Sequence, residues 1–203
     1  GLTEKPEKFP IKSPKIPPGL EPRLGAYCLP VIRSRISAGQ SSYLAELRNV
    51  SVMFANLPGL KADTMLPTVH EVVSLAHDAI HQYEGSLNKL SVDDKGVSLL
   101  AVFGLPPVSH EDDAARACMA ALKLQESLRT IGHDSSVGLS TGQAFCGAVG
   151  SDIRREYTVI GDVVNLSARL MQAASGGILC ETGTYEEAVV AIQFRKLEPI
   201  KVK

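Results

Sequence analysis

Residues 137–174, VGLSTGQAFCGAVGSDIRREYTVIGDVVNLSARLMQAA, decide how this chain folds. The centre of the stretch, Tyr157-Thr158-Val159-Ile160-Gly161-Asp162-Val163-Val164-Asn165-Leu166-Ser167-Ala168-Arg169, changes its period partway. Residues 157–160 are aromatic and β-branched and suit a strand. Gly161 reads as the turn. Asp162 reads as an N-cap, its carboxylate accepting from backbone N–H groups of the first helical turn. From Val163 the apolar period is helical, with Val163, Leu166, Leu170 and Ala174 on one face and Ala173 beside them. Asn165 and Arg169 are four residues apart and share a face. An amide and a forked cation near a helix N-terminus can orient a ligand and stabilise charge on a phosphate. A solvated helix face is the plain alternative for such a pair.

Upstream, residues 50–57 (VSVMFANL) alternate and form the first strong strand, closed by Pro58-Gly59. Residues 67–83 read as a helix with a stripe of Val69, Val72, Val73, Ala76, Ala79, Ile80 and Tyr83. His70, His77 and His81 lie on the same helix without a carboxylate pattern and read as solvated face residues. Gly85 opens a hairpin whose strands, residues 86–92 and 97–103, flank Asp93-Asp94-Lys95-Gly96. Glu111-Asp112-Asp113 starts a further helix, with Ala114, Ala117, Cys118, Ala121, Leu122, Gln125 and Leu128 along one face. After Gly176-Gly177 come a short apolar segment at 178–180, a helix capped by Thr182 and reaching about residue 190, and a strand at 193–197. The order β-α-β-β-α-β, followed by further α and β elements, is that of a ferredoxin-like α+β sandwich. Its sheet is rich in antiparallel pairs, with helices packed on one side.

The 203 residues suffice for one full core plus an arm. The arm and a short helix are expected over residues 1–42, where Pro6, Pro10, Pro14, Pro17, Pro18 and Pro22 disfavour helix and ladder alike. The domain proper is expected over residues 43–203. A net charge of −1 gives no general electrostatic footprint for nucleic acid. Cys28, Cys118, Cys146 and Cys180 form no C-x-x-C pair. Cys118 and Cys146 fall in apolar runs and read as small core residues, which points to a reducing, cytoplasmic compartment. No apolar run approaches the roughly 18 residues of a membrane span.

The organising stretch resembles the signature of class III nucleotidyl cyclases, the adenylyl and guanylyl cyclase catalytic domain. The similarity continues from about Tyr43 to the C-terminus. It is nearest to the second, C2-type domain of soluble, bicarbonate-responsive adenylyl cyclases. The resemblance implies an α+β, ferredoxin-like class III cyclase fold and active sites formed between two domains. One domain supplies two Asp residues that hold Mg²⁺; the other supplies a base-reading residue, an Asn and an Arg. Carried over by motif, Thr158 meets the purine edge, Asn165 orients the ribose or its 3′-oxygen, and Arg169 stabilises phosphate charge. Lys203 is a further substrate contact, and the lysine that matches Thr158 comes from the partner.

The family's first metal-binding Asp is here Asn56, a neutral amide and a poor ligand for a hard cation. The second is ambiguous. Counting forward from Lys89 reaches Asp93, counting back from Leu99-Leu100-Ala101-Val102-Phe103 reaches Val97, and the loop is longer than in catalytic domains. Asp93 and Asp94 then read as turn residues, and no metal is assigned to this chain. The resemblance also implies a degenerate anion site at Lys89 and Val92, with bicarbonate as its ligand. It implies Mg²⁺ held by a C1-type partner domain earlier in the same polypeptide, ATP as substrate, and an isolated chain of little activity. It further implies one more strand after Lys203. The rival reading is a catalytically inactive cyclase-like module with a regulatory, anion-sensing or scaffolding role.

Overall fold

The computed structural model describes residues 15, 17–25, 27–28, 30–39, 45–61, 63–93, 96–151 and 155–200. Most of the proline-rich arm, Asp94 and Lys203 lie outside them. Two short helices, α1 (Glu21–Gly25) and α2 (Pro30–Ser37), precede the domain. There follow β1 (Ala45–Leu57), α3 (Leu66–His81), β2 (Ser86–Asp93), β3 (Gly96–Phe103), α4 (Asp113–Thr130), β4 (Val137–Gly150), β5 (Arg155–Ile160), α5 (Asp162–Ala173), β6 (Ile178–Cys180) and α6 (Thr182–Ala188).

The sheet runs β2-β3-β1-β4-β5, all antiparallel, with β6 added parallel to β4. β1 begins five residues before the apolar alternation does, at Ala45 rather than Val50. Its first half alternates between exposed and half-buried, so its partner, not burial, holds it in the ladder. That partner is β4, paired from Ala45↔Gly147 through Ala55↔Val137.

Successive residues of a strand face opposite sides, and here both sides are apolar. Met53, Ala55 and Leu57 of β1, with Leu99, Ala101 and Phe103 of β3, pack against α3, α4 and Ala188 of α6. Val50, Val52, Leu100, Val102, Cys146, Tyr157 and Val159 form a second core on the other face, closed by Val163 of α5 with Ile32 of α2 against it. Helices therefore occupy both faces of the sheet, not one.

Local corrections have simple causes. Gly161, not Asp162, is the N-cap of α5, and Asp162 is already in its first turn. Glu181, not Thr182, caps α6. Its Oε1 accepts from the backbone N–H of Thr184 at 2.8 Å and that of Thr141 on β4 at 3.0 Å, so one carboxylate caps the helix and ties it to the sheet. Residues 193–200 form no ladder among the described residues. Phe194 instead packs on the first core and meets Tyr185 edge-to-face at 5.4 Å.

Burial pushes the Cys118 thiol up to about 12, and those of Cys146 and Cys180 to about 11, so these thiols stay neutral as core residues. Cys28 is exposed. No described helix is long and apolar enough to cross a membrane.

One contact sets where α5 lies. A Cβ on Gly138 would stand 2.0 Å from the Ser167 carbonyl oxygen and 2.4 Å from the Met171 nitrogen, both backbone atoms of α5. Two residues on, Ser140 Oγ donates to the Val163 carbonyl at 2.5 Å. Gly138→Ala must push the helix off the sheet, and overpacking of this kind costs at least about 3 kcal/mol. Thermal unfolding should report a fall in Tm of roughly 6–12 °C for a chain of this size. An unchanged Tm would contradict the close approach.

Candidate functional site

The strand-turn-helix unit fixes where the three signature side chains sit, Thr158 on β5 and Asn165 and Arg169 on α5. Tyr157 and Val159 are 4% and 3% exposed in the second core, so Thr158 faces the other way, together with Glu156 and Ile160. On α5, Val163, Ser167 and Leu170 are buried against the sheet, which leaves Asn165 and Arg169 exposed. Ser167 sits on the buried face where the sequence pattern pointed to Leu166. Its hydroxyl donates to the Val164 carbonyl at 2.8 Å, so it needs no water. Arg169 makes no ion pair among the described residues. Glu156 on β5 lies 4.0 Å from Lys89 on β2.

That ion pair reveals a second feature of the site. The sheet curls until its two outer strands, β2 and β5, meet. A bulge between Leu87 and Lys89 turns Asn88 toward β5, where its amide Nδ2 donates to the Tyr157 carbonyl at 3.3 Å. Lys89 thus stands beside the strand that carries Thr158. The pair with Glu156 is more than half exposed on both sides, 54% and 58%, and such pairs contribute about 0–1 kcal/mol, so the ammonium group is easily redirected. Lys89 and Val92 are not brought together. Lys89 lies opposite Leu100, on the second-core face, and Val92 lies opposite Val97, on the first-core face. Asn88 carried no sequence signal, because its role depends on a bulge and on two strands that are not neighbours in the ladder.

The residues present do not fit a two-metal centre. The Asn56 side-chain oxygen accepts from the Ser136 backbone N–H at 2.5 Å, just where the β1–β4 ladder ends. The Asn56 backbone N–H returns a bond to the Ser136 carbonyl at 3.1 Å. Asn56 is therefore a clamp for the start of β4. Asp93 is the last residue of β2, exposed and opposite Gly96 at the hairpin tip. Among the described residues no group of three or more His, Cys, Asp and Glu could hold a metal ion.

The face around Thr158 is apolar and uncovered. Leu47, Phe145 and Ile160 lie side by side across β1, β4 and β5, with Leu47 73% and Ile160 54% exposed. The next row is Ala45, Gly147 and Thr158. Leu47 and Ile160 were not singled out from sequence, since each is a single apolar residue in a mixed strand.

Residues 42–203 match the family described as Adenylate and Guanylate cyclase catalytic domain. Among curated relatives, adenylate cyclase type 10 of Homo sapiens is 34% identical over 191 residues, 91% of this chain and 12% of its own length. The mouse protein of the same name is also 34% identical, over 200 residues, with the same shares. The chain therefore spans 12% of the length of these relatives. Among solved structures, the guanylyl cyclase Cya2 superposes with a TM-score of 0.63 at 26% identity, covering 79% of this chain and 89% of that one. The adenylyl cyclase CyaB from P. aeruginosa superposes at 0.69 and 24% identity, covering 78% and 89%, a likeness of fold.

The Asn56 clamp is testable by itself. Asn56→Ala leaves the Ser136 N–H without its acceptor and should lower unfolding stability in urea by about 1–3 kcal/mol. Asn56→Asp keeps an acceptor in the same place and should stay near wild type. Equal losses in the two variants would contradict the clamp.

Proposed function

This chain belongs to the adenylate and guanylate cyclase catalytic domain family, and we propose that it is the complementary, C2-type half of an adenylyl cyclase. In this reading it supplies the base-reading and charge-stabilising residues of a site that converts ATP to cyclic AMP and pyrophosphate. A C1-type cyclase domain in the same polypeptide completes the site and holds Mg²⁺ through its carboxylates. The name carried by the human and mouse relatives, adenylate cyclase type 10, supports ATP as the substrate.

The observation that carries the proposal is an asymmetry within the chain. Thr158, Asn165 and Arg169 lie on the exposed side of β5 and α5, while Asn56 spends its side-chain oxygen on backbone. The chain has the recognition half of a cyclase site and lacks the metal half. The uncovered row Leu47, Phe145 and Ile160 beside Thr158 supports a partner domain seated on this face.

Each residue has a role its chemistry suits. The Thr158 hydroxyl can donate and accept, as a purine edge requires. Lys89, drawn beside β5, is a donor of this chain for the same edge, in place of a lysine from the partner. With Lys89 so used, binding of an anion such as bicarbonate at Lys89 would compete with the base and with Glu156. The Asn165 amide carries donors and an acceptor together and can hold the ribose so that its 3′-oxygen faces the α-phosphorus. The 3′-hydroxyl loses its proton to water as its bond to the α-phosphorus forms, the bond from that phosphorus to the bridging oxygen breaks, and pyrophosphate leaves. Negative charge on the α-phosphate oxygens rises during this displacement. The fixed guanidinium of Arg169 meets it with two parallel donors, which favours the transition state over the ground state.

The test is Arg169→Ala in the two-domain protein. Turnover should fall roughly 10²–10³-fold, as for loss of one preorganised donor, while ATP binding changes little. Arg169→Lys should recover little, because a point charge cannot reproduce the fork. Normal turnover once the two halves are saturated would overturn the assignment and favour the rival, an inactive module that only binds and scaffolds.

A further inference from the structure

We infer that the outer face of α3 carries a binding site for one divalent transition-metal ion of the zinc class, held by His77 and His81. The two residues are four apart on a 16-residue helix, so they stand one above the other on one face. Their rings are stacked, with centroids 5.6 Å apart and planes 20° from parallel. Two imidazoles at this spacing can turn their nitrogens to a common ion, the same i, i+4 placement by which helices ligate zinc. Val72, Ala76, Ala79 and Ile80 bury the opposite side of α3, so the helix is a fixed platform for the pair.

The surroundings suit an exchangeable site. His77 is 56% exposed, which leaves room for water to complete the coordination. The Asp78 carboxylate lies 3.8 Å from His77 Nδ1. That is beyond hydrogen-bond distance, so the contact does not fix the ring, and either nitrogen can meet the metal. Imidazole nitrogen selects zinc, copper and nickel over hard ions such as Mg²⁺, which prefer oxygen. The remaining histidines are differently placed. His110 is engaged by Glu84 at 3.0 Å and by Asp113 at 3.4 Å, and His133 lies against Gly59. His70 is two helical turns from His77, about 10 Å along the axis, beyond reach of the same ion. α3 packs on the first core and α5 closes the second, so the sheet separates this site from Asn165 and Arg169. The inference is thus independent of the proposed catalytic role.

The experiment is calorimetric titration of the chain, free of any affinity tag and with exposed Cys28 replaced by serine, against Zn²⁺. One Zn²⁺ per chain should bind. His77→Ala and His81→Ala should each weaken binding at least about tenfold, while His70→Ala and His110→Ala leave it unchanged. A hundredfold excess of Mg²⁺ should not compete. In the unsubstituted chain, Zn²⁺ should shift the ring proton resonances of His77 and His81 and spare those of His70, His110 and His133. Absence of binding, binding that survives both His77→Ala and His81→Ala, or binding lost in His110→Ala would overturn the site.

Discussion

The seat of α5 on β4 is the contact on which the candidate site depends. At Gly138 the strand has no side chain, and the helix backbone fills the space one would take. Ser140 then ties the first turn of the helix to the same strand. Because α5 follows β5 after a single residue, fixing the helix against β4 also fixes the angle between β5 and α5. Thr158 is carried by β5, and Asn165 and Arg169 by α5. A helix displaced by even an ångström would shift Asn165 and Arg169 relative to Thr158, the groups proposed to act on one ligand.

A second constraint comes from the curl of the sheet. β2 and β5 are opposite ends of the strand order, yet Asn88 and Lys89 bridge them. The bridge uses side chains, not a ladder, so it can open without breaking the sheet. It also changes the meaning of Lys89. Read along the sequence, Lys89 belongs to a hairpin strand far from Thr158. In the folded chain it is a neighbour of the strand that carries Thr158. The Asn56 clamp has the converse effect, since the residue at the position where the resemblance implies a metal-binding Asp serves architecture here.

Much of this was legible in sequence where the information is local. The change of period at Gly161 places β5 and α5 correctly, and Asn165 and Arg169 fall on the exposed face that the helical period assigns them. The class III cyclase fold follows from the order of elements and the motif. What sequence did not carry is non-local. The first half of β1 has no apolar signal and exists because β4 pairs with it. The second helical layer follows from Val50, Val52, Leu100 and Val102 sharing a face, which only the register reveals. Glu181 caps α6 in place of Thr182 because its carboxylate also reaches β4, a contact 40 residues away in sequence. The juxtaposition of Lys89 with Glu156 requires the closure of the sheet.

On the proposed reading this chain holds the recognition and charge-stabilising half of a cyclase site and needs a partner for the metal half. The most direct measurement is cyclic AMP production from ATP and Mg²⁺ by the purified chain, alone and then titrated with a C1-type cyclase domain that carries both metal-binding Asp residues. The chain alone should give no more than background, and activity should rise and saturate as the partner is added. Robust production by the chain alone, or none at any ratio of the two domains, would contradict that reading.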